Sequence, residues 1–274
     1  MARSLRLVSF NILEGLRPVH AASDADRGGL DRQRLEAAIT VVRELEPDIL
    51  VLNEALFCRA HAGKVVDYAS LFSFGYDAAA LYDGAWGNAI LSQHPITRSS
   101  ELRIYNRGGL TAAIATPAGA LNVASYHPHP LRPPENKALD FVAMVAAIQG
   151  PLLLCGDLNA ISPEDVVDRE HLIEAFRGFA REPELTVDRF IESGKQVFSR
   201  LAEFGLRDAV PRSGRRYSIP TDLINLDKSS GMRIDHILAN DAIEVLGGEV
   251  IHSAASNRAS DHHPVTLEFR LKRH

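Results

Sequence analysis

The sequence predicts an α/β fold, because strand and helix patterns alternate from its first residues onward. Residues 5–13 alternate loosely between apolar and polar side chains, as a strand does. Residues 31–46 place apolar side chains at helical spacing, with Asp31 as the N-cap and Pro47 as the stop. Residues 48–54 follow at once as an apolar strand. This strand–helix–strand unit favours parallel pairing in a covered sheet.

The rest of the chain continues this alternation. The turn Pro117-Ala118-Gly119 lies between two apolar runs and predicts a hairpin. Residues 161–209 are helical and irregular in pattern, and residues 211–231 form a long polar segment of a kind that often carries function. The other predicted elements are a helix over 134–149 and strands over 87–92, 110–116, 120–126, 151–155, 232–239, 243–251 and 264–271.

Length and composition limit the classes of protein that fit. The 274 residues contain no internal repeat or linker, which predicts a single domain over residues 1–274. The formal net charge is −5, so no domain-wide basic surface is expected; a nucleic-acid partner is disfavoured but not excluded. Two cysteines are too few for a disulfide scaffold, and no apolar stretch is long enough to cross a membrane. We therefore expect a cytoplasmic protein, and nothing in the pattern specifies its oligomeric state.

The most informative stretch is Gly156-Asp157-Leu158-Asn159, where the apolar strand 151–155 breaks into a loop. Residues two apart in a strand face the same way, so Asp157 and Asn159 are predicted to point at one small target. The alternative is that both residues cap a helix that begins near Ser162.

Polar residues also stand at the ends of most other predicted strands. They are Asn11, Glu54, His127, Asp235, Asp261 and His262. Oxygen ligands from Glu54, Asp157 and Asp261, with Asn11 as a further candidate, suit Mg²⁺ or Mn²⁺. Such an ion polarises a phosphoryl oxygen, and two imidazoles can carry protons near neutral pH. Together these residues indicate a hydrolytic site built around a hard metal ion.

The sequence resembles the endonuclease/exonuclease/phosphatase superfamily, which includes type I deoxyribonuclease, apurinic endonucleases, neutral sphingomyelinases and inositol-polyphosphate 5-phosphatases. Seven motifs follow the family order over nearly the whole chain. They are Val8-Ser9-Phe10-Asn11-Ile12, Pro47-Asp48-Ile49-Leu50-Val51-Leu52-Asn53-Glu54, Gly87-Asn88-Ala89-Ile90-Leu91-Ser92, Asn122-Val123-Ala124-Ser125-Tyr126-His127, Gly156-Asp157-Leu158-Asn159, Arg233-Ile234-Asp235-His236-Ile237-Leu238 and Ser260-Asp261-His262-His263-Pro264. The resemblance implies a four-layer α/β sandwich, with two mixed β-sheets packed face to face and helices outside.

The resemblance also implies a metal site for Mg²⁺ or Mn²⁺. Glu54 would be the principal ligand, and Asn11 and Asp261 would complete a first or second metal position.

Catalytic roles follow from the same resemblance. Asp157 would orient or deprotonate the attacking water, and Asn159 would hold the phosphate. His262 would sit against the scissile phosphate, oriented by Asp235. His127 would approach the phosphate from the other side and stabilise its pentacovalent oxygens. Separately from the resemblance, adjacent side chains of an extended segment point in opposite directions, so His236 and His263 are expected to face away from the site.

Two positions depart from the family pattern. Asn53 stands where the family usually has glutamine, and the run His127-Pro128-His129-Pro130 replaces the leucine that often follows the first histidine. His129 is therefore a candidate extra contact. Polar residues that could contact a substrate are Trp86, Asn88, Arg103, Tyr105, Asn106, Arg107, His129, Arg132 and the cluster 212–217.

The favoured function is a Mg²⁺- or Mn²⁺-dependent phosphoesterase that hydrolyses a phosphodiester or phosphomonoester by in-line attack of an activated water. The phosphate-ester substrate is expected to be small or short, and DNA or RNA endo- or exonuclease activity is the main alternative. A zinc hydrolase is a further alternative, because His127 with His129 and His262 with His263 form pairs that can bind zinc. A non-catalytic binding module that keeps the fold is the last.

Overall fold

The computed structural model describes residues 3–19, 29–55, 66–82, 86–104, 107–178, 180–224 and 226–272. Its strands form two six-stranded sheets. The strands are β1 (Leu5–Asn11), β2 (Ile49–Asn53), β3 (Tyr76–Tyr82), β4 (Trp86–Ser92), β5 (Ile96–Ile104), β6 (Arg107–Thr116), β7 (Gly119–Tyr126), β8 (Leu152–Asp157), β9 (Arg207–Asp208), β10 (Asp235–Ala239), β11 (Ile243–Val250) and β12 (Val265–Leu271).

Both sheets are mixed, and each contains one parallel pair near its centre. The first sheet has the order β11-β12-β1-β2-β4-β3, with β1 and β2 parallel. The second has the order β5-β6-β7-β8-β10-β9, with β7 and β8 parallel. The second sheet is thus one continuous piece of chain, whereas strands from both ends of the described chain build the first.

The two sheets pack face to face, and helices cover their outer faces. The helices are α1 (Leu13–Leu16), α2 (Arg32–Leu45), α3 (Tyr68–Phe72), α4 (Pro134–Val145), α5 (Arg169–Phe176), α6 (Pro183–Glu203) and α7 (Ser256–Ala259). One apolar core lies between the sheets; a second lies between the first sheet and α2, α3 and α7, and a third lies between the second sheet and α4 and α6. This arrangement confirms the predicted four-layer sandwich.

The predicted helices form close to their expected limits. Asp31 caps α2, since its Oδ1 accepts hydrogen bonds from the backbone N–H groups of Gln33 at 2.9 Å and Arg34 at 3.1 Å. Helix α4 ends at Val145, four residues before its predicted end. Among the described residues, no helix is both long and apolar enough to cross a membrane.

The sequence does not predict β3, β5 or β9. Strand β5 is an edge strand whose residues 97–103 are all exposed, so it lacks the alternation of buried and exposed side chains that marks a strand. Strand β3 carries three successive alanines, which have low strand propensity, and β9 has two residues. These strands form because neighbouring strands pair with them, which local sequence patterns do not show.

Candidate active site

Strand direction gathers the predicted site residues at one end of the sandwich. Strands β1 and β2 run parallel, so Asn11 and Asn53 are paired at their carboxyl ends. Strand β10 runs antiparallel to β8, which places its first residue, Asp235, opposite the last residue of β8, Asp157. The segment 260–264 leads into β12, which begins beside the end of β1.

The backbone at this end is unusual. Five residues other than glycine have positive φ angles near the site: Leu13, Glu14, Leu16, Glu54 and Asn159. Such conformations are disfavoured for residues with a Cβ atom and persist where the surroundings fix them. The remaining two residues of this kind within the described chain end helices α2 and α3.

Glu54 lies directly after β2 and is held by two donors. Its Oε2 accepts the backbone N–H of Glu14 at 2.8 Å, and its Oε1 accepts Asn11 Nδ2 at 3.2 Å. His127 Nε2 lies 3.9 Å from the same Oε1. The carboxylate is therefore fixed in position and faces the site.

Asp157 lies at the centre of the cluster. Its Oδ2 accepts a hydrogen bond from Asn11 Nδ2 at 3.1 Å and lies 3.2 Å from His127 Nε2 and 3.7 Å from His262 Nε2. Burial by itself would raise the pKa of this carboxyl. The charges of both histidines, the His127 hydrogen bond and the Asn159 backbone N–H outweigh it, so the pKa is lowered. Asp157 is thus ionised at neutral pH.

The expectation that Asp157 and Asn159 share one strand face is wrong. Strand β8 ends at Asp157, and Asn159 has a φ of 46°, outside the strand region. The Asn159 N–H instead donates to Asp157 Oδ1 at 2.9 Å, and its Nδ2 donates to the carbonyl of Pro128 at 2.9 Å. A turn, not a strand, brings the two residues together. The alternative of a helix cap fails as well, because the next helix begins at Arg169.

His262 and Asp235 form a buried pair across the two sheets. His262 Nδ1 lies 2.7 Å from Asp235 Oδ2. Burial lowers the pKa of the imidazole, but the charges of Asp235, Asp261 and Asp157 raise it well above its ordinary value. Ser218 holds Asp235 in turn, since its Oγ accepts the backbone N–H of Asp235 at 3.1 Å. Ser218 comes from the long polar segment, whose length was its only signal in the sequence.

The acidic residues fit a hard cation. Asp261 is buried, and burial together with the charge of Glu54 raises its pKa to about 6. Two carboxylates that repel each other in this way gain from a cation placed beside them. Among the described residues, no group of three or more His, Cys, Asp or Glu side chains is arranged to hold a metal ion. Carboxylate oxygens are the ligands that Mg²⁺ prefers in proteins, so Glu54 and Asp261 are the residues here that fit such an ion.

Asn53 connects the two sheets beneath the site, a role that the sequence does not predict. Its Oδ1 accepts the backbone N–H of Asp157 at 2.8 Å, and its Nδ2 donates to Asn88 Oδ1 at 2.7 Å and Ser125 Oγ at 3.2 Å. Asn88 Nδ2 donates to the carbonyl of Gly108 at 2.6 Å. Asn88, predicted as a substrate contact, is 3 % exposed and is a partner of Asn53.

Arg34 supports the two segments that flank the acidic residues. Its guanidinium donates to the carbonyls of Ile12 and Leu13, both at 2.9 Å, and to that of Ala259 at 3.0 Å. The first two precede Glu14, and Ala259 precedes Asp261. An arginine on a predicted amphipathic helix gives no signal of such a role, because solvent-exposed arginines are common on helices.

The remaining candidate substrate contacts differ in their exposure, their ion pairing and their distance from the site. Arg107 and His129 are half-buried beside the site, where the charges of Glu54 and Asp157 act on Arg107. Arg103 is exposed, and Arg132 is ion-paired with Asp140. In the cluster 212–217, Arg215 and Arg216 are ion-paired with Glu164 and Glu249. Tyr105, Asn106 and the side chain of Trp86 lie outside the described residues.

The two extra histidines face away from the site, as expected. His236 Nε2 lies 2.8 Å from the carbonyl oxygen of Ala160, and its ring contacts Phe198. His263 stacks on His252 with ring centroids 4.0 Å apart, and its Nδ1 lies 3.0 Å from Ser256 Oγ.

Comparison with known proteins agrees with this architecture. Solved structures similar to this chain include an endonuclease/exonuclease/phosphatase from Beutenbergia cavernae, with a TM-score of 0.67, 21 % identity and coverage of 98 % of this chain and 72 % of that one. An AP endonuclease from Archaeoglobus fulgidus has a TM-score of 0.68, 18 % identity and coverage of 96 % and 98 %. A 3′ phosphatase from Neisseria bound to a product DNA hairpin has a TM-score of 0.66, 19 % identity and coverage of 97 % and 99 %. No curated protein matches the sequence. Residues 8–262 match the Endonuclease/Exonuclease/phosphatase family, and the chain therefore belongs to this family.

Proposed function

We propose that this protein is a Mg²⁺- or Mn²⁺-dependent phosphoesterase that hydrolyses a phosphodiester or phosphomonoester by in-line attack of a water molecule. One observation carries the proposal: the Asp157 carboxylate lies between two imidazoles, within 3.2 Å of His127 Nε2 and 3.7 Å of His262 Nε2. A carboxylate that holds water beside donors for phosphoryl oxygens suits this reaction. Family membership supports a phosphate ester as the substrate.

Asp157 would act mainly by orienting the attacking water. Its lowered pKa makes it a weak proton acceptor, although its charge still aligns a water molecule and stabilises positive charge on the neighbouring imidazoles. Asn159 donates one amide N–H to Pro128. An asparagine amide has two N–H donors and one acceptor, so a second N–H remains for a phosphate oxygen.

His262 would act as a hydrogen-bond donor to the phosphate. Its raised pKa keeps the imidazole protonated at neutral pH, and Asp235 occupies Nδ1, which leaves Nε2 to face the site. His127 Nε2 approaches from the side of Glu54 and Asp157. The two imidazoles would thus contact different oxygens of one phosphate group.

Glu54 and Asp261 would hold the metal ion. When bound, the ion would polarise a phosphoryl oxygen and stabilise the leaving oxygen. Asn11 donates through Nδ2 to both Glu54 and Asp157, and its Oδ1 accepts the N–H of Leu13 at 3.0 Å. In this orientation Asn11 would fix the separation of the two carboxylates, a role distinct from the oxygen ligand that the family resemblance implies.

We propose a small or short phosphate ester as the substrate, because the net charge of −5 offers no general attraction to a long polyanion. Nuclease activity is the second candidate. It is favoured by the fold shared with an AP endonuclease and with a phosphatase bound to a DNA hairpin.

A substrate and metal screen tests the proposal. We expect the purified protein to hydrolyse at least one of bis-p-nitrophenyl phosphate, single- or double-stranded DNA, RNA, inositol phosphates and sphingomyelin with Mg²⁺ or Mn²⁺, and to lose this activity with EDTA. Activity restored by Zn²⁺ but not by Mg²⁺ or Mn²⁺ would contradict the metal assignment.

A glutamate pair provides a matched control for this screen. Glu54→Gln is expected to abolish turnover, because it removes a charge that the cation requires. Glu46 also has a left-handed backbone, with a φ of 45°, but is exposed at the end of α2. Glu46→Gln is expected to keep wild-type activity. Turnover that survives Glu54→Gln would contradict the metal-ligand role of Glu54, whereas a wild-type protein that turns over nothing in the screen would favour the non-catalytic binding module.

Replacing Asp235 with asparagine is expected to lower kcat roughly 10²-fold or more, because the amide no longer fixes the tautomer and orientation of His262. The Asp235 charge raises the pKa of His262, so its loss lowers that pKa. Activity that needs the protonated imidazole should then decline at a lower pH, which a pH profile of kcat measures. An alkaline limb that does not move would contradict this role.

A further inference from the structure

Lys137 is a buried lysine that none of the roles above uses. It lies in the first turn of α4 and is 0 % exposed. Lysine is almost never fully buried unless it is paired, because removing an ammonium group from water is costly. No ion pair with an Asp or Glu side chain forms at Lys137 within the described part of the chain, and the nearby Asp140 is paired with Arg132. Its position therefore calls for another explanation.

Two backbone carbonyls receive the Lys137 ammonium group. Nζ donates to the carbonyl of Asn159 at 2.7 Å and to that of Pro130 at 3.5 Å. Asn159 belongs to the turn that follows Asp157, and Pro130 belongs to the run that follows His127. The ammonium group thus touches both segments that carry the central carboxylate and one of its imidazoles.

A further hydrogen bond joins the same two segments. Asn159 Nδ2 donates to the carbonyl of Pro128 at 2.9 Å. Asn159 also has the positive φ that its turn requires. These bonds connect the segment after His127 to the segment after Asp157, and the two side chains themselves meet with His127 Nε2 3.2 Å from Asp157 Oδ2.

We propose that Lys137 is a positioning residue that sets the separation of His127 and Asp157 by holding the carbonyls of Asn159 and Pro130 on one ammonium group. The inference rests on the proposed function for its kinetic consequences, but the positioning itself is a structural property. A shift of about 1 Å at a reacting group lowers rates by up to roughly 10²-fold. Lys137 would therefore affect kcat more than substrate binding.

Lys137→Met tests this role, because methionine has similar length but no donor and no charge. With the phosphate ester that the wild-type protein turns over, we expect kcat to fall about 10- to 100-fold and KM to change less than about threefold. Lys137→Arg keeps the charge and the donors and should recover part of the lost activity. Lys137→Gln, which keeps a donor but not the charge, provides a second test if the methionine variant does not fold.

Val145→Ala is the matched control. Val145 is buried in the same helix, at the end remote from the two carbonyls. The Val145→Ala variant should lower the midpoint temperature of thermal unfolding and leave kcat unchanged. Equal losses of kcat in Val145→Ala and Lys137→Met, at equal losses of stability, would reduce Lys137 to a general structural role and overturn the proposal.

An imidazole ¹⁵N NMR spectrum separates this proposal from the proposed function. We expect the His127 signals to shift in Lys137→Met and to stay in place in Val145→Ala, whether or not a substrate is known. His127 signals that do not move in Lys137→Met would overturn the positioning role. A wild-type protein without phosphoesterase activity would overturn the proposed function alone.

Discussion

Asp157→Asn is expected to lower kcat roughly 10²- to 10⁴-fold while the protein remains folded. The amide oxygen can still accept the Asn159 N–H, so the turn after β8 keeps its hydrogen bond. The amide nitrogen, however, replaces the charged oxygen that lies near His127 and His262. The variant therefore loses the charge that orients water and stabilises both imidazoles. Steady-state kinetics measure the loss, and circular dichroism reports the fold.

Asp48→Asn is the control for this substitution. Asp48 precedes β2, at the end of the strand opposite the site. Its carboxylate has similar partners: Oδ2 accepts the backbone N–H of Arg6 at 2.9 Å, and Oδ1 lies 3.5 Å from His94 Nε2. This variant should keep wild-type kcat. Asp157→Asn with more than about a tenth of wild-type kcat would remove Asp157 from the mechanism.

Gly156→Ala is expected to damage both stability and activity. Gly156 has a φ of 140°, which residues with a side chain rarely adopt. A Cβ atom there would lie 2.8 Å from Asn53 Oδ1 and 2.9 Å from the carbonyl oxygen of Tyr126. Backbone strain and overpacking together should lower the free energy of unfolding by about 2–5 kcal/mol. The displaced groups hold Asp157 and precede His127, so kcat should fall as well.

Gly150→Ala separates strain from crowding. Gly150 also has a positive φ, 83°, but a Cβ atom there would meet nothing within 4 Å. The Gly150→Ala variant should lower the free energy of unfolding by about 1–2 kcal/mol through backbone strain and leave kcat unchanged. Urea denaturation of both variants measures the difference. Equal losses of stability would show that the approach of Asn53 to Gly156 is not tight.

Sequence patterns predicted the residues of the candidate active site better than they predicted the residues that hold those side chains in position. Polar residues that interrupt apolar strands stand out along the chain, and parallel or antiparallel pairing then brings Glu54, Asp157 and His262 to one end. The prediction that Asp157 and Asn159 share one strand face was wrong, because the local pattern does not show where a strand ends. Roles assigned from the family resemblance remain predictions until the substitutions above are made.

The residues that hold the site in position were not predicted, because they act through contacts between residues far apart in the chain. Asn53 looks like a shortened glutamine in its motif, yet it contacts Asp157, 104 residues away. Lys137 and Arg34 lie on helices with ordinary amphipathic patterns, where a solvent-exposed charge is the default expectation. Their burial depends on which backbone carbonyls the folded chain places beside them.

The division of the sheets along the chain has a consequence for biosynthesis. All strands of the second sheet lie between residues 96 and 239, whereas β12, the partner of β1, begins at Val265. On the ribosome, the second sheet can therefore pair completely while β1 still lacks that neighbour. Asp261 and His262 emerge with β12, so the strand that completes the first sheet also delivers the last groups of the site. A nascent chain would lack the proposed activity until that strand docks, and its uncovered β1 edge would be the surface most exposed to mispairing in the interval.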